Sequence, residues 1–459
     1  MIVVHRVRGR AATASFVVVA WLALTAATAL AGTPPHLVKD INPGSADSDP
    51  FSIVNDGGKA LFAAFDPTHG LELHISDGTK AGTHLVLDAN PGPDQGAADF
   101  FPAKIGTKFV YEGNDGTHGY EPWITDGTSS GTHMIKDIDP GSDGSTPYGF
   151  TAWKGKAYFA ATDGSDGIEL YVTDGTGAGT HRVKDINQSG PNVGSNPQEL
   201  LALGNELLFS ANDGTHGTEL WKTDGTSAGT KLLKNINAGG NSSYPNGFAT
   251  LGSHMYFAAT DNVHEGELWR TDGTAAGTVR VSNIEPSGHS NVSTLVASGG
   301  KLYFWASGGG TGSLWVSDGT SAGTAQVPGT SNINPVSITA LNGGVVFIGI
   351  TASDGDELWF SDGTAAGTKE IRDINPGAGD SGISVTSQAI GGFLYFSAHD
   401  AMHGSELWRT DGTHNGTTLY ADINPTGSSL PSYEAAIGSH VFLTADDGTH
   451  GSELMVFTP

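Results

Sequence analysis

The chain repeats one short sequence eight times, and this periodicity constrains its fold more than any other feature. The segment "GTELWKTDGTSAGT" at 217–230 is one of the copies. Its Asp-Gly-Thr triplet recurs at intervals of 44 to 50 residues, beginning at Asp77, Asp126, Asp174, Asp224, Asp272, Asp318, Asp362 and Asp411. A period of this length over most of a chain is typical of solenoids and propellers, in which one supersecondary unit is stacked many times.

Each unit predicts four short β-strands and no helix. In the unit 146–186 the segments "YGFTAW", "KAYFAAT", "IELYVT" and "HRVKDI" are rich in β-branched and aromatic residues, and Gly, Asp and Ser separate them. A four-stranded unit of this length, repeated along the chain, is typical of a β-propeller blade. The sequence therefore predicts an all-β fold, a single β-propeller of four-stranded blades.

The two ends of the chain predict how the ring closes. Residues 36–45, "HLVKDINPGS", match a fourth strand whose first three strands are missing, and residues 451–459, "GSELMVFTP", match a third strand whose fourth is missing. We therefore expect nine blades, with the N-terminal strand closing the last one and leaving no exposed sheet edge. Because propellers usually have four to eight blades, eight blades remains the alternative.

The repeated motif itself predicts a hairpin turn between two buried strand positions. Glycine after Asp supplies the positive φ angle of a tight turn, and the Asp carboxylate accepts hydrogen bonds from nearby backbone N–H groups. Large side chains occupy one slot of the preceding strand, namely Trp123, Trp221, Trp269, Trp315, Trp359 and Trp408, with His74, Tyr171 and Met455 in the other units. We expect this slot to pack against neighbouring blades.

The first 31 residues differ from the repeats. Arg6, Arg8 and Arg10 precede the apolar run 16–24, which leads to the small-residue tripeptide 29–31. This pattern is typical of a secretory signal peptide, and the run is shorter than the roughly 20 apolar residues of a membrane anchor. We predict a signal peptide at 1–31, a propeller domain at 32–459, and a bacterial protein that is secreted, periplasmic or on the cell surface.

Charge and composition narrow the classes of partner. The chain has 48 acidic and 22 basic residues, a formal net charge of −26, and no cysteine. Nucleic acids and anionic membranes are poor partners for such a chain, and after signal cleavage we expect no membrane insertion. Stability must come from core burial rather than disulfides, and we expect a monomer.

The copies "ELWKTDGTSAGT", "ELWRTDGTAAGT" and "ELWFSDGTAAGT" resemble the ELWxxDGT repeat family of exported bacterial proteins. The resemblance covers essentially all of 32–459, although Ser313 replaces Glu in one unit and Pro122 replaces Leu in another. It implies a repeat architecture and export, and it brings no catalytic residues.

A histidine that recurs three residues before a glutamate is the first candidate for chemistry. The pairs are His69 and Glu72, His118 and Glu121, His216 and Glu219, His264 and Glu267, His403 and Glu406, and His450 and Glu453. Imidazole and carboxylate side chains at this spacing are possible ligands for zinc, or titrate together near pH 6. The alternative is that His lies at a loop tip while Glu bonds to backbone, as part of every blade.

Acidic turns and linkers are the second and third candidates. Carboxylates cluster in "NDGTHG" at 114 and 212, "DGSDG" at 163 and "SDGDE" at 353, as they do around calcium, although none matches the full calcium-loop pattern. The linkers "DINPG" at 40 and 373 follow fourth strands. Since successive turns alternate between the ends of a blade, we expect the histidine loops and these linkers to share one face, which suits a polar ligand such as a glycan.

No motif for an enzyme is present: G-x-S-x-G, a Walker sequence and a dinucleotide fingerprint are all absent. Catalysis in a symmetric ring needs a residue that breaks the repeat, and the most divergent unit, 301–342 with Trp305, is where we expect one if it exists. We predict an exported, non-catalytic binding module for a glycan or another surface protein. A propeller hydrolase or lyase acting on polysaccharide and a structural envelope protein are the alternatives.

Overall fold

The computed structural model describes residues 32–97, 100–286, 288–308, 312–331, 333–377, 379–385 and 389–459. The predicted signal peptide, 1–31, lies outside the described residues. Thr33–Pro459 is one compact unit. It is a nine-bladed β-propeller of antiparallel sheets, and the predicted fold class and blade number are confirmed.

Eight blades have all four strands within the described residues. Blade 1 contains β2 Phe51–Asp56, β3 Lys59–Asp66, β4 Gly70–Ser76 and β5 His84–Leu87, and blade 2 contains β6 Ala103–Ile105, β7 Lys108–Asn114, β8 Tyr120–Thr125 and β9 His133–Met134. Blade 3 contains β10 Tyr148–Trp153, β11 Lys156–Thr162, β12 Ile168–Thr173 and β13 His181–Lys184. Blade 4 contains β14 Gln198–Leu203, β15 Glu206–Asn212, β16 Thr218–Thr223 and β17 Lys231–Lys234. A single 3-10 turn, Ser129–Gly131, precedes β9.

Blade 5 contains β18 Asn246–Leu251, β19 His254–Ala259, β20 Glu267–Thr271 and β21 Val279–Arg280. Blade 6 contains β22 Ser293–Ser298, β23 Lys301–Ala306, β24 Ser313–Ser317 and β25 Ala325–Gln326. Blade 7 contains β26 Val336–Leu341, β27 Gly344–Thr351, β28 Gly355–Ser361 and β29 Lys369–Arg372. Blade 8 contains β30 Leu394–Asp400, β31 Gly404–Thr410 and β32 Thr418–Ala421. Among the described residues before and beside β30, the isolated antiparallel bridges Ser384–Ser397 and Ile390–Phe393 are formed.

The ninth blade is formed by both ends of the chain. Its strands β33 Ser432–Ile437, β34 His440–Asp446 and β35 Ser452–Phe457 come from the C-terminus, and β1 His36–Lys39 pairs antiparallel with β35. Val38 and Ile41 bury their side chains with Leu454 and Val456 in the core between blades 9 and 1. The predicted split blade is thus observed, and it covers the edge that β35 would otherwise expose.

The core lies between adjacent blades, where the two faces of neighbouring sheets meet. The large-residue slot of each third strand pairs with a buried residue of the second strand, as Trp221 does with Phe209 and His74 does with Phe62. At the outer rim, Lys39, Lys136, Lys184, Lys234 and Arg372 donate to carbonyl oxygens of the next blade, such as Lys184 Nζ to Thr230 O at 2.7 Å. Burial and these cross-blade bonds hold the ring without disulfides.

The turns alternate between the two ends of the ring, as expected from the strand order. We call the loops between second and third strands histidine loops, and the segments from a fourth strand to the next first strand linkers. Thr146 of a linker donates its N–H to Tyr120 O at the end of a histidine loop, so these segments share one face. Asn342, in a turn between first and second strands, donates to Asp411 O, which places the Asp-Gly-Thr turns at the opposite face.

The described part of the chain contains no helix with the length and apolar composition that a membrane span requires.

Candidate functional site

The repeated histidines are bonded within their own loops. Each imidazole Nδ1 lies 2.7 to 2.9 Å from a carboxylate oxygen of the Asp three residues earlier, in the pairs His69–Asp66, His118–Asp115, His216–Asp213, His264–Asp261, His403–Asp400 and His450–Asp447. In each loop the same Asp also accepts the backbone N–H of its His. The hydrogen bond from Asp447 raises the pKa of His450. These histidines therefore fasten the loop by an Asp, not by the predicted Glu.

The repeated glutamates are buried and hold the linkers. Glu219 accepts hydrogen bonds from the backbone N–H groups of Ile236 and Asn237, at 2.7 and 3.1 Å, and from the Ser243 hydroxyl at 2.6 Å. We call this arrangement the glutamate clamp. It recurs at Glu72, Glu121, Glu169, Glu267, Glu357, Glu406 and Glu453. Because buried backbone N–H groups need an acceptor, the clamp fixes each linker relative to its own third strand.

The clamp in blade 1 differs by one hydroxyl. Burial raises the pKa of Glu219 and of Glu453 to about 7, and that of Glu72 to about 8. Glu219 and Glu453 each receive a serine hydroxyl, whereas Gly96 stands at the corresponding position of blade 1, facing the Glu72 carboxylate. A donor to the carboxylate favours its ionised form, and the absence of a hydroxyl at Gly96 agrees with the higher pKa of Glu72.

The predicted metal ligands are consequently separated into two structures. His69, His118, His216, His264, His403 and His450 bond to aspartates in their loops, and Glu72, Glu121, Glu219, Glu267, Glu406 and Glu453 bond to linker backbone. Within the described ranges, no three His, Asp or Glu side chains are arranged to hold a metal ion. Among the described residues, the candidate ligands for calcium or zinc are therefore engaged in separate loop and linker contacts.

The acidic turns are also bonded internally. Asp163 accepts from the N–H groups of Ser165 and Asp166 and contacts Arg182, while Asp354 accepts from the Thr351 hydroxyl. In the Asp-Gly-Thr turns the Asp accepts from the Thr two residues later, and the flanking hydroxyls bond to each other. These carboxylates satisfy donors of their own turns, as expected for Asx-type turns.

In the divergent unit 301–342, the substituted residues form hydrogen bonds with residues nearby. Trp305 Nε1 donates to Asn334 Oδ1 at 3.2 Å, and Ser313, which stands where other units have the clamp Glu, bonds to Gln326 Nε2 at 2.7 Å. Thr330 bonds to the backbone of Leu314 and so replaces part of the missing clamp. These contacts show that the substituted residues have a structural role in blade 6.

Between blades 2 and 3 the sequence departs from the repeat, and a cavity lies at this place. A cavity of about 740 Å³ on the histidine-loop face is lined by Gln95, Phe101, Glu112, Tyr120, Thr146, Pro147, Tyr148, Gly149 and Phe150. Phe101 is 65% exposed and Tyr148 is 37% exposed, whereas Glu112 is only 9% exposed. A concave site with aromatic walls and a few polar groups is the common form of a ligand pocket.

The shortened first strand of blade 2 explains why the cavity lies there. A proline stands seven residues before the first hairpin turn in most units, at Pro50, Pro147, Pro197, Pro245, Pro335 and Pro431. In blade 2 the corresponding segment has Pro102 only four residues before Gly106. Because proline cannot donate to the ladder, β6 begins at Ala103 and has three residues, against six in β10. Phe101 therefore lies outside the strand and faces the cavity.

Glu112 is the functional candidate that the sequence reasoning missed. It pairs with Pro122 between β7 and β8, where the equivalent residues of the other second strands are uncharged: Ala63, Ala160, Ser210, Ala258, Trp305, Ile348, Ser397 and Thr444. Alignment of the units on their Asp-Gly-Thr triplets would have found this single acidic residue in an otherwise neutral column.

Two further cavities are less suited to binding a ligand. One of about 920 Å³ lies by the first hairpin turns of blades 1 and 2 and is lined mainly by small aliphatic side chains, with Lys104 already donating to Asn55 O. The other, of about 330 Å³, lies between blades 3 and 4 and is lined by Asp185, Asp213 and Trp221 among others. Its size suits ordered water between buried polar groups.

No family model matches this chain, and no curated protein matches it. Membership of the ELWxxDGT family therefore stays a prediction. Similar solved structures include the computationally designed Ika8 protein, with 16% identity, a TM-score of 0.43 and coverage of 78% of this chain and 95% of that one. The Dos1 propeller has 14% identity, a TM-score of 0.43 and coverage of 78% and 90%. A puromycin hydrolase has 14% identity and a TM-score of 0.40; the match covers 77% of this chain and 59% of that one.

Proposed function

We propose that this protein is an exported, non-catalytic binding module that holds a glycan or another extracellular protein at the cavity between blades 2 and 3. The observation that carries the proposal is the position of this cavity, which lies where the repeat is broken and where Phe101 is exposed. Elsewhere the repeated polar residues are engaged in holding loops and linkers. The exposed ring of Phe101 is accessible to a ligand in this cavity.

Binding is favoured over hydrolysis by the charge of the cavity. Glycoside hydrolysis needs two carboxyl groups, one on each side of the scissile bond. Among the described residues that line the cavity, Glu112 is the single carboxylate. Exposed aromatic rings such as Phe101 and Tyr148 supply contact area for a ligand at a low cost in side-chain entropy. Export is supported by the arginine-rich, apolar start of the sequence.

The test is a screen of the purified protein against a glycan array and a panel of extracellular proteins, followed by titration calorimetry of any ligand found. Phe101→Ala should weaken the affinity, and Tyr244→Ala should leave it unchanged, because Tyr244 is 64% exposed and lies outside the cavity. Release of a product from any polysaccharide in the screen would favour the hydrolase or lyase alternative. Equal affinities of the protein and of Phe101→Ala would place binding elsewhere.

A further inference from the structure

The cavity between blades 2 and 3 combines one buried acid with several aromatic rings. Glu112 is 9% exposed and Phe101, Tyr120, Tyr148 and Phe150 share the lining with it. The remaining described lining residues are Gln95, Thr146, Pro147 and Gly149, none of which carries a charge. The described lining therefore has a single formal charge, and that charge is negative.

Aromatic rings and a carboxylate favour the same kind of guest. The face of an aromatic ring attracts a cation, most strongly where water is excluded, and rings grouped around a cavity recognise alkylammonium groups. A carboxylate in the same cavity adds a Coulomb attraction for the cation. A cavity of about 740 Å³ has room for an ammonium group together with the chain that carries it.

The charge of the whole chain acts in the same direction. A formal net charge of −26 raises the local concentration of cations and repels anions from the surface. The strand bulge between Tyr148 and Thr151, with Gly149 at φ 68°, places Tyr148 and Phe150 on the cavity wall. Bulges of this kind redirect side chains beside binding sites.

We propose that this cavity binds an organic cation, an alkylammonium group of a ligand, between the aromatic side chains and the carboxylate of Glu112. The inference rests on the proposed function, since it names the chemistry of the ligand for the same cavity. An alkylammonium group is offered both by small quaternary amines and by the methylated lysine side chain of a protein.

The test is titration of the purified protein with tetramethylammonium chloride, with sodium chloride at the same ionic strength as the reference. We expect saturable binding that weakens by about tenfold or more in both Glu112→Gln and Phe101→Ala, and that is unchanged in Tyr244→Ala. Choline and a trimethyl-lysine peptide, titrated in parallel, distinguish a small-molecule source from a protein source. Melting curves of the variants show whether each is folded. If Glu112→Gln does not fold, Phe101→Ala still tests the inference.

Three results would overturn the inference, and each has a different consequence for the proposed binding module. Binding of a neutral oligosaccharide that Phe101→Ala abolishes and Glu112→Gln does not would refute the cation and keep the binding module. Absence of binding by every ammonium probe, by the glycan array and by the protein panel would refute both proposals. Ammonium binding that is equally strong in Glu112→Gln and Phe101→Ala would place the cation outside this cavity.

Discussion

Replacement of buried Glu219 by alanine should loosen the linker that this side chain holds. The change removes the acceptor of two backbone N–H groups, those of Ile236 and Asn237, and of the Ser243 hydroxyl. A buried donor left without an acceptor costs roughly 1–3 kcal/mol. Three such donors, partly offset by the relief of burying a carboxylate, give a local loss of about 3 kcal/mol or more.

Hydrogen–deuterium exchange of the amides at Ile236 and Asn237 measures this loss directly. A local loss of about 3 kcal/mol corresponds to roughly 100-fold faster exchange, since about 1.4 kcal/mol is a factor of ten. Exchange resolves one linker, whereas a single melting temperature averages over a ring of nine blades. We therefore expect a large local effect and a smaller change in the melting temperature.

The matched control is Glu206→Ala in the same blade. Glu206 is a partly exposed residue that pairs with Lys222 at 2.8 Å, and such surface pairs contribute about 0–1 kcal/mol. Its loss should leave exchange at the linker amides nearly unchanged. If the amides of Ile236 and Asn237 exchange at similar rates in both variants, the clamp does not hold the linker and the reasoning fails.

Three further changes test other features of the propeller. Gly96→Ser should give Glu72 the hydroxyl that other clamps have, with a small shift of the carboxylate to admit the serine Cβ, and lower its pKa from about 8 toward 7; because a raised carboxyl pKa removes stability as pH rises from about 4.5 through the folded value, the variant should be more stable by about 1 kcal/mol at pH 8, and unchanged unfolding curves at pH 8 would contradict this. Asp447→Asn should return the pKa of His450 toward its ordinary value in a proton NMR titration; the pair stabilises fully below about pH 6.5 and loses its contribution as pH rises through the raised pKa, so an unchanged titration would rule out the pairing. Deletion of His36–Lys39 should cost about 3–6 kcal/mol, because two aliphatic side chains leave the core and a sheet edge is exposed; urea unfolding and size-exclusion chromatography check this, and an unchanged midpoint would show that the ring closes without β1.

The architecture was predictable because each unit carries the same local signals. Strand patterns, glycine turns and the matching ends of the chain gave the fold class, nine blades and closure by β1, all of which the structure shows. The His and Glu of each pair do not contact each other, and the alternative interpretation agrees with the contacts, since His lies in the loop and Glu bonds to backbone. The reason is that the short spacing His-Gly-x-Glu crosses from a loop into a strand. There the Glu side chain turns into the blade, while the His turns back to an Asp that precedes it.

The cavity was not predictable from the repeat, because it depends on where the repeat fails. Pro122 was visible as a departure, but its consequence depends on Pro102, which shortens β6, and on Glu112 across the sheet. These residues are 10 to 20 positions apart and meet only after the blade has folded. Divergence alone was a poor guide, since unit 301–342 departs further in sequence and restores its contacts with Thr330 and Gln326.

The distribution of polar contacts separates scaffold from site in this molecule. A residue that recurs in every blade at a buried or loop-fixing position, such as Glu219 or Asp213, has its hydrogen bonds committed to the ring, and a ligand would have to displace them. Glu112 lies outside this repeated network, because the other eight blades have an uncharged residue at its place. A cation bound beside exposed Phe101 would be attracted by this carboxylate, which the repeated network does not contain.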